Sequence, residues 1–303
     1  MSTRAHTVPK FYLSEFISPE SKAGGDPYVY IGFIETGEIK KRSPKNISIS
    51  RGLYDGSGGL ENSEASIETH LSKIEWAAAS AIRKLAASPC SEGAIVGTEI
   101  WRFLAWQAAR TPGWMNLIEG WVAEWDPGAP IVAVQPPPDG FDSISDRHRS
   151  LLVENPQNRE RREVVQPEEF HSLLGKGWKW ILRNNDHLEL LHIQAWYFQA
   201  RHFPSFSWVR LDAPSGESFV TSDRAIAWIA DGLANTPPAS LRHPTAQILA
   251  PLTRGVALLG RHCSDGLDVT PRDVNRLVAS MASGWIVGAT ADVVRQALAD
   301  RPG

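Results

Sequence analysis

The sequence predicts an α+β fold with a helical middle between β-rich N- and C-terminal portions, in which the strands are mostly antiparallel. Apolar residues recur at helical spacing between residues 64 and 111. Short strand-like runs, separated by glycine and proline, occupy residues 28–41 and 206–260. This order of helical and strand segments predicts the α+β class. The chain contains no internal repeat and no coiled-coil heptad.

The N-terminal 55 residues are predicted to form extended structure and turns. Residues 28–34 have the composition of a strand, and residues 35–38 form a hairpin turn that returns the chain through residues 39–41. A glycine-rich break follows at residues 56–59.

Two long helices are predicted next. The first covers residues 64–87 and ends at Ser88 and Pro89. The second covers residues 92–111 and is stopped by Pro112. Helical patterns recur at residues 114–125, 168–184 and 187–201, and a proline-rich loop spans residues 126–140.

The last third of the chain is predicted to consist of short strands and two helices. The strands are expected at residues 206–211, 218–221, 246–249 and 256–260. A helix over residues 271–281 leads through residues 285–288 into a closing helix. We expect residues 1–303 to form one compact domain, with a division into two lobes at loop 126–140 as the alternative.

The composition is that of an ordinary globular protein. Hydrophobic residues make up 42% of the chain and charged residues 21%, and the formal net charge is −3. Proteins dedicated to duplex DNA usually carry a basic excess, so the charge does not indicate that partner. The short basic stretch at residues 40–42 is typical of a solvated strand end.

Cysteine usage and the lack of long apolar runs favour a cytoplasmic location. Cys90 and Cys263 are far apart and form no CxxC pair, which suits a reducing compartment. The first ten residues lack the apolar segment of a signal peptide. No apolar run approaches the ~20 residues that cross a bilayer, so we expect no membrane partner.

No motif identifies a cofactor or a reaction. The chain lacks the GxGxxG, Walker, HExxH and GxSxG motifs. His187 and His192 are five residues apart, whereas a metal pair on one helix face is three or four apart. The cofactor is therefore left unknown, and Mg²⁺ or Mn²⁺ held by two or three carboxylates stays open. The twelve tryptophans, five of them between residues 101 and 125, are expected mainly in the core, with a pocket or interface as the alternative.

The second predicted helix carries polar residues on its apolar face. Gln107 falls in the middle of the stripe that Ile100 and Phe103 define, and Arg110 lies at its edge. A buried arginine needs a carboxylate partner. Because two helices joined by a short turn pack antiparallel, Glu75 is the expected partner. Such a group is either a structural ion pair or a polar site between helices.

Asp223 and His6 are the other candidates. Asp223 follows a predicted strand end, where binding groups are common, and where Asx-turn and helix-capping residues are equally common. His6 precedes residues 8–13, which are too apolar for a mobile tail, so docking of that segment would bring the histidine into the interior.

The same residues carry a family likeness. The motifs at residues 6–16, 43–46, 67–75, 107–112, 219–223 and 251–253, together with Asn275, resemble the bacterial family called domain of unknown function 4238. The chain differs from that pattern at Thr7, where the family commonly has an aromatic residue, and at Arg224-Ala225, where it commonly has Asn-Pro. The resemblance implies that these distant polar residues form one pattern, but the family name brings no activity, cofactor or substrate.

The first functional hypothesis is an enzyme of hydrolytic or transfer type. His6 would be the general acid or base, Asp223 or Glu75 would orient it or act as a second base, and Arg110 with Gln107 would bind an oxyanion. A phosphate-bearing substrate, either a nucleotide or a nucleic acid, would suit the arginine.

The expected substrate-binding residues complete that hypothesis, and two alternatives remain. These residues are Tyr12, Lys45, Asn46, Ser222 and Asn275. One alternative is a non-catalytic binding protein in which the polar motifs are a structural network. The other is a tailoring or redox enzyme with a tryptophan-lined pocket for a small molecule.

Overall fold

A computed structural model describes residues 4–23, 26–51, 63–89, 96–110, 133–134, 154–155, 158–162, 164–165, 203–230, 233–234, 244–262 and 269–301. These residues contain both helices and antiparallel sheets, so the α+β prediction is confirmed. Among the described helices, none is long and apolar enough to cross a membrane.

The elements in the described ranges are numbered in chain order. The helices are α1 (Lys10–Ser14), α2 (Ser63–Ala87), α3 (Thr98–Ala109), α4 (Pro271–Met281) and α5 (Ala291–Ala299). Short 3₁₀ helices cover Pro19–Ala23, Pro44–Asn46 and Phe203–Ser205. The strands of the N-terminal half are β1 (Arg4–His6), β2 (Val29–Phe33), β3 (Ile39–Arg42), β4 (Ile49–Arg51), β5 (Ala133–Val134), β6 (Glu154–Asn155), β7 (Asn158–Arg162) and β8 (Val164–Val165). The later strands are β9 (Ser207–Asp212), β10 (Thr221–Ser222), β11 (Ala227–Ala230), β12 (Leu233–Ala234), β13 (Gln247–Pro251), β14 (Val256–Arg261) and β15 (Trp285–Gly288).

Two antiparallel sheets organise the described strands. The first has the order β10-β15-β2-β3, and the second has the order β12-β11-β13-β14-β9. Because β10 and β11 are joined by residues 223–226 alone, the chain passes directly from one sheet to the other at Asp223. Strand β1 pairs with β4 outside these sheets, and its register places His6 opposite Ile49.

Helix α5 packs closely on the first sheet because two strand positions lack a side chain. A Cβ atom at Gly32 would lie 2.6 Å from Cγ1 of Val294, and one at Gly288 would lie 2.8 Å from Cγ1 of Val293. Any larger residue at either position would force the helix away from the sheet.

Helix α4 begins at a capping box. The Thr270 hydroxyl accepts the backbone N–H of Asp273 at 3.2 Å, and the Asp273 carboxylate accepts the backbone N–H of Thr270 at 3.1 Å. The Thr270 hydroxyl also donates to that carboxylate and holds the pKa of Asp273 below its ordinary value. The helix packs against β10, β11 and β13, so it contacts both sheets.

Helices α2 and α3 pack on each other, and the second sheet holds the end of α2. Nη1 of Arg210, on β9, donates to the carbonyl oxygens of Leu85 at 2.6 Å and Ser88 at 2.7 Å. A cation at a helix C-terminus is favourable because the last carbonyls there have no partner within the helix. The sheet therefore fixes the helix that carries Glu75.

Most predicted elements are confirmed, including the hairpin of β2 and β3 and helix α4. Three predictions are wrong. Residues 10–14 form a helix rather than extended structure, and the second helix begins at Thr98 because Gly97 is extended, with φ −64° and ψ 153°. Residues 218–220 lie outside β10, since the side chain of Asn275 binds their backbone.

Several predictions lie outside the described residues. They are the glycine-rich break at 56–59 and the helices at 114–125, 168–184 and 187–201. Of the proline-rich loop, only residues 133–134 are described, as strand β5.

Candidate functional site

Two polar residues at the C-terminal end of α3, one of them its C-cap, lie against a carboxylate of α2. Nη2 of Arg110 donates to Oε1 of Glu75 at 2.9 Å, which is the ion pair predicted from helical phasing. The side chain of Arg110 is 3% exposed, whereas that of Glu75 is 27% exposed. The cation is therefore enclosed by the protein, and its carboxylate partner reaches solvent.

Gln107 completes the group around the guanidinium. With its amide oriented so that the oxygen faces Arg110, Gln107 accepts hydrogen bonds from Nη2 and from Nε, the latter at 2.6 Å. Both residues are buried, and Arg110, at the C-cap of α3, follows Gln107 by three positions. Nη1 of Arg110 makes no hydrogen bond within the described part of the chain. A guanidinium with one edge fixed and another nitrogen available is suited to an oxyanion.

The N-terminal segment packs on the same face of α3. The rings of Phe11 and Tyr12 lie 5.2 Å and 5.6 Å from the ring of Phe103. Phe103 precedes Gln107 by four residues and Arg110 by seven, so the three share one helix face. Helix α1 is therefore docked beside the turn that carries the guanidinium.

Tyr12 joins three of the motifs in the interior. Its hydroxyl donates to the carbonyl oxygen of Pro251 at 2.5 Å and lies 2.9 Å from Oγ1 of Thr221. Burial raises the pKa of this phenol far above its ordinary value, so the group stays protonated. The hydrogen bonds tie α1 to β10 and β13, which indicates a structural part for this residue.

His6 retains an unpaired nitrogen. It ends β1 and is half-buried, and its buried Nε2 atom makes no hydrogen bond within the described residues. The backbone beside it is fixed, because Thr7 donates its N–H to the carbonyl oxygen of Ser48 at 3.1 Å and the two hydroxyls bond to each other. Ser48 adopts a φ of 62°, which is uncommon outside glycine and asparagine.

Asp223 binds the loop between α4 and β15. Its carboxylate accepts backbone N–H groups from Ser283 at 3.0 Å and from Gly284 at 2.7 Å. Burial raises the pKa of this carboxyl, while the two N–H groups and the neighbouring Arg224 act in the opposite direction.

The other predicted binding residues divide into buried and exposed pairs. Ser222 donates its hydroxyl to the carbonyl oxygen of Arg224 at 2.7 Å. Asn275 accepts the N–H of Val220 at 2.8 Å and donates to the carbonyl oxygen of Ser218 at 2.9 Å. Lys45 and Asn46 are exposed on a 3₁₀ helix.

The ten predicted residues therefore do not form one group. Glu75, Gln107 and Arg110 converge between α2 and α3, while Ser222, Asp223 and Asn275 bind backbone around β10. Two further polar residues, Thr221 and Ser48, were not among the predicted site residues. Thr221 lies within the motif at residues 219–223, but its hydrogen bond to Tyr12 joins residues that are distant in sequence and is therefore visible only in the structure. The positive φ of Ser48 could not be predicted, because serine rarely adopts that conformation.

The predictions about metal ligands and tryptophans concern residues of which only some are described. Within the described ranges, no three histidine, cysteine, aspartate or glutamate side chains are grouped as metal ligands. Trp106 is buried and Trp101 half-buried, and the other tryptophans of that cluster, at 114, 121 and 125, lie outside the described residues.

Comparison with known proteins gives one match. A family model described as "Protein of unknown function (DUF4238)" matches residues 4–292, nearly the whole chain. A search of curated proteins and a search of solved structures found no significant match. The resemblance inferred from the motifs is thereby confirmed.

Proposed function

From the geometry of its polar residues, we propose that this chain, which belongs to the DUF4238 family, is an enzyme of hydrolytic or transfer type. The family description names no activity. The proposed substrate bears a phosphate, as a nucleotide or nucleic acid does, and binds at Arg110. The proposed ligand is thus a small molecule or nucleotide held at a polar site between α2 and α3.

The unoccupied nitrogen of the enclosed guanidinium carries this proposal. Glu75 and Gln107 engage Nε and Nη2 of Arg110, and Nη1 has no protein partner among the described residues. Arginine presents its N–H groups in a fixed planar geometry that matches phosphate oxygens, so a ligand oxyanion is the natural complement of Nη1. The ordered partners would hold the guanidinium in place before the ligand arrives, as electrostatic catalysis requires.

His6 is the proposed general base. Its Nε2 would accept a proton from water as the water oxygen attacks phosphorus. The bond from phosphorus to the leaving oxygen then breaks, and the proton passes to that oxygen. His6 is favoured for this role because its Nε2 is unused, and because the segment that follows it docks on α3. We assign Asp223 to loop binding instead, since two backbone N–H groups already occupy its carboxylate.

The test combines phosphate binding with turnover. The full chain would be titrated with inorganic phosphate by calorimetry and assayed on p-nitrophenyl phosphate, its bis ester and nucleoside triphosphates. Arg110→Lys should raise KM by about 10-fold or more, because a lysine cannot reproduce the fork geometry. His6→Ala should lower kcat by about 10²-fold, since general bases contribute about 10²–10⁴.

Arg83→Lys is the matched control. Arg83 pairs with Glu15 at 2.9 Å, the same distance as the Arg110 pair, but its side chain is 63% exposed. It should leave KM and kcat unchanged. Equal effects of Arg110→Lys and Arg83→Lys, or no phosphate binding and no turnover by the wild-type chain, would contradict the proposal.

A non-catalytic binding protein is the second candidate. It is favoured by Tyr12, Asp223 and Asn275, whose side chains bond to distant parts of the fold, and by Ser222, which bonds to the nearby backbone of Arg224. If the protein is such a binding protein, Arg110→Lys and His6→Ala would change the melting temperature, and neither phosphate binding nor turnover would be detected. For either function we propose the cytoplasm, on the basis of the two widely separated cysteines.

A further inference from the structure

Two tyrosines form perpendicular walls on the first sheet. Tyr28 immediately precedes β2 and Tyr30 lies within it, so their side chains share one face. Their ring centroids are 5.6 Å apart and the ring planes are inclined by 83°. Lys41 lies directly opposite Tyr30 on β3, which is an edge strand of this sheet.

The ammonium group of Lys41 sits against both walls. Its Nζ atom lies 4.5 Å from the ring centroid of Tyr28 and 5.5 Å from that of Tyr30. Both distances are within the range in which a cation is attracted to the face of an aromatic ring. Nζ also donates to the Tyr28 hydroxyl at 3.2 Å.

Glu20 orients the two rings from outside the sheet. Its Oε2 atom accepts the hydroxyl of Tyr28 at 3.0 Å and the hydroxyl of Tyr30 at 3.1 Å. One carboxylate thus fixes the orientation of both rings through their hydroxyl groups. Two aromatic rings against one ammonium group are the arrangement by which aromatic cages recognise quaternary ammonium groups.

We propose that Tyr28, Tyr30 and Glu20 form a binding site for a quaternary ammonium group, which Lys41 occupies when no ligand is bound. Lys41 is exposed and its long side chain is flexible, so it can leave without unfolding the strand. A quaternary ammonium has no N–H to satisfy and is more weakly hydrated, so the ring faces suit it better than a lysine. The site shares no residue with the proposed phosphate site and does not depend on it.

The experiment measures displacement of this internal cation. Wild-type chain and Lys41→Ala would be titrated with tetramethylammonium chloride by saturation-transfer NMR, at constant ionic strength set with sodium chloride. Removal of the competitor should tighten binding by about 2- to 5-fold, which corresponds to one exposed cation–π contact. Tyr28→Leu should abolish binding, and Glu20→Gln, at an exposed position, should weaken it without affecting the fold.

Lys40→Ala separates the cage from a general charge effect. Lys40 is the neighbouring residue on β3, points to the opposite face and pairs with Glu38 at 2.7 Å. It should bind tetramethylammonium as the wild type does. An equal gain in both lysine variants, or no binding by Lys41→Ala, would overturn the proposal.

Two further probes identify the source of the ammonium group. Choline and the amide of Nα-acetyl-trimethyllysine would be compared on Lys41→Ala. Tighter binding of choline supports a free choline-type ligand, and tighter binding of the amino-acid derivative supports a methylated side chain. Binding of neither probe contradicts the site even if tetramethylammonium binds.

Discussion

Removal of Glu75 should destabilise the protein more than removal of Arg110, although the two residues form one ion pair. The difference follows from their exposure, which is 27% for the glutamate side chain and 3% for the arginine side chain. Glu75→Ala leaves an enclosed guanidinium whose described hydrogen-bonding partner is the Gln107 amide oxygen. Arg110→Met leaves a carboxylate that water can reach.

The expected sizes can be worked from this geometry. An enclosed charge that has lost its partner destabilises a protein by about 3–5 kcal/mol, which is the expectation for Glu75→Ala. Arg110→Met loses a charge-assisted hydrogen bond of about 1.5–3 kcal/mol, and burial of the methionine offsets part of that loss. The free energies of unfolding of the two variants should therefore differ by about 2 kcal/mol.

Urea unfolding, followed by tryptophan fluorescence, measures both values. Arg83→Met is the control, because its ion pair with Glu15 is exposed and should contribute only about 0–1 kcal/mol. If Arg110→Met lowers the free energy of unfolding as much as Glu75→Ala does, the guanidinium is not the enclosed partner. The oxyanion site proposed for it would then lose its basis.

Three further predictions concern the fold around the site. Burial raises the pKa of the Asp223 carboxyl, so the folded protein binds the carboxyl proton more tightly than the unfolded chain does. Protonation of Asp223 therefore stabilises the folded state. This stabilisation is complete below the ordinary carboxyl pKa and is lost as the pH rises through the pKa of the folded state. Wild type should therefore gain stability relative to Asp223→Asn in urea unfolding as the pH is lowered to the ordinary carboxyl pKa; a constant difference would contradict this. Tyr12→Phe should lower the free energy of unfolding by about 1–3 kcal/mol, because the buried carbonyl of Pro251 loses its donor, and an unchanged urea midpoint would refute that role. Gly32→Ala should lower the melting temperature while Gly255→Ala should not, since the new Cβ meets Val294 at 2.6 Å in the first case and its nearest neighbour at 4.0 Å in the second.

How far the sequence predicts this structure depends on how local each signal is. Helix α4 was predicted at its observed bounds because Thr270, Pro271 and Asp273 specify its start within four residues. The pairing of Glu75 with Arg110 was also predictable, since helical phase placed Arg110 at the edge of an apolar stripe, where a buried arginine needs a carboxylate partner. Helix α1 was missed because its five residues are too few for periodicity to register.

The candidate site was less predictable for a physical reason. A motif shows which polar residues belong to a pattern, but not which hydrogen bonds they make. Asn275 and Asp223 looked like binding residues, and each proves to hold backbone that is distant in sequence. That distinction depends on long-range contacts, which no local spacing encodes.

Hydrogen-bond completion offers a criterion for separating architecture from function in this chain. Asn275 and Asp223 are buried with backbone partners, so the fold alone accounts for their presence. Nε2 of His6 is buried without a partner among the described residues, and a buried polar atom that makes no hydrogen bond lowers the stability of the folded state. A ligand that bonds to this nitrogen or to Arg110 would recover that cost, and it would raise the melting temperature with its concentration. Substitutions at the two groups should then behave differently: those at Asn275 and Asp223 would shift the melting temperature without ligand, and those at His6 would mainly remove the shift that ligand produces.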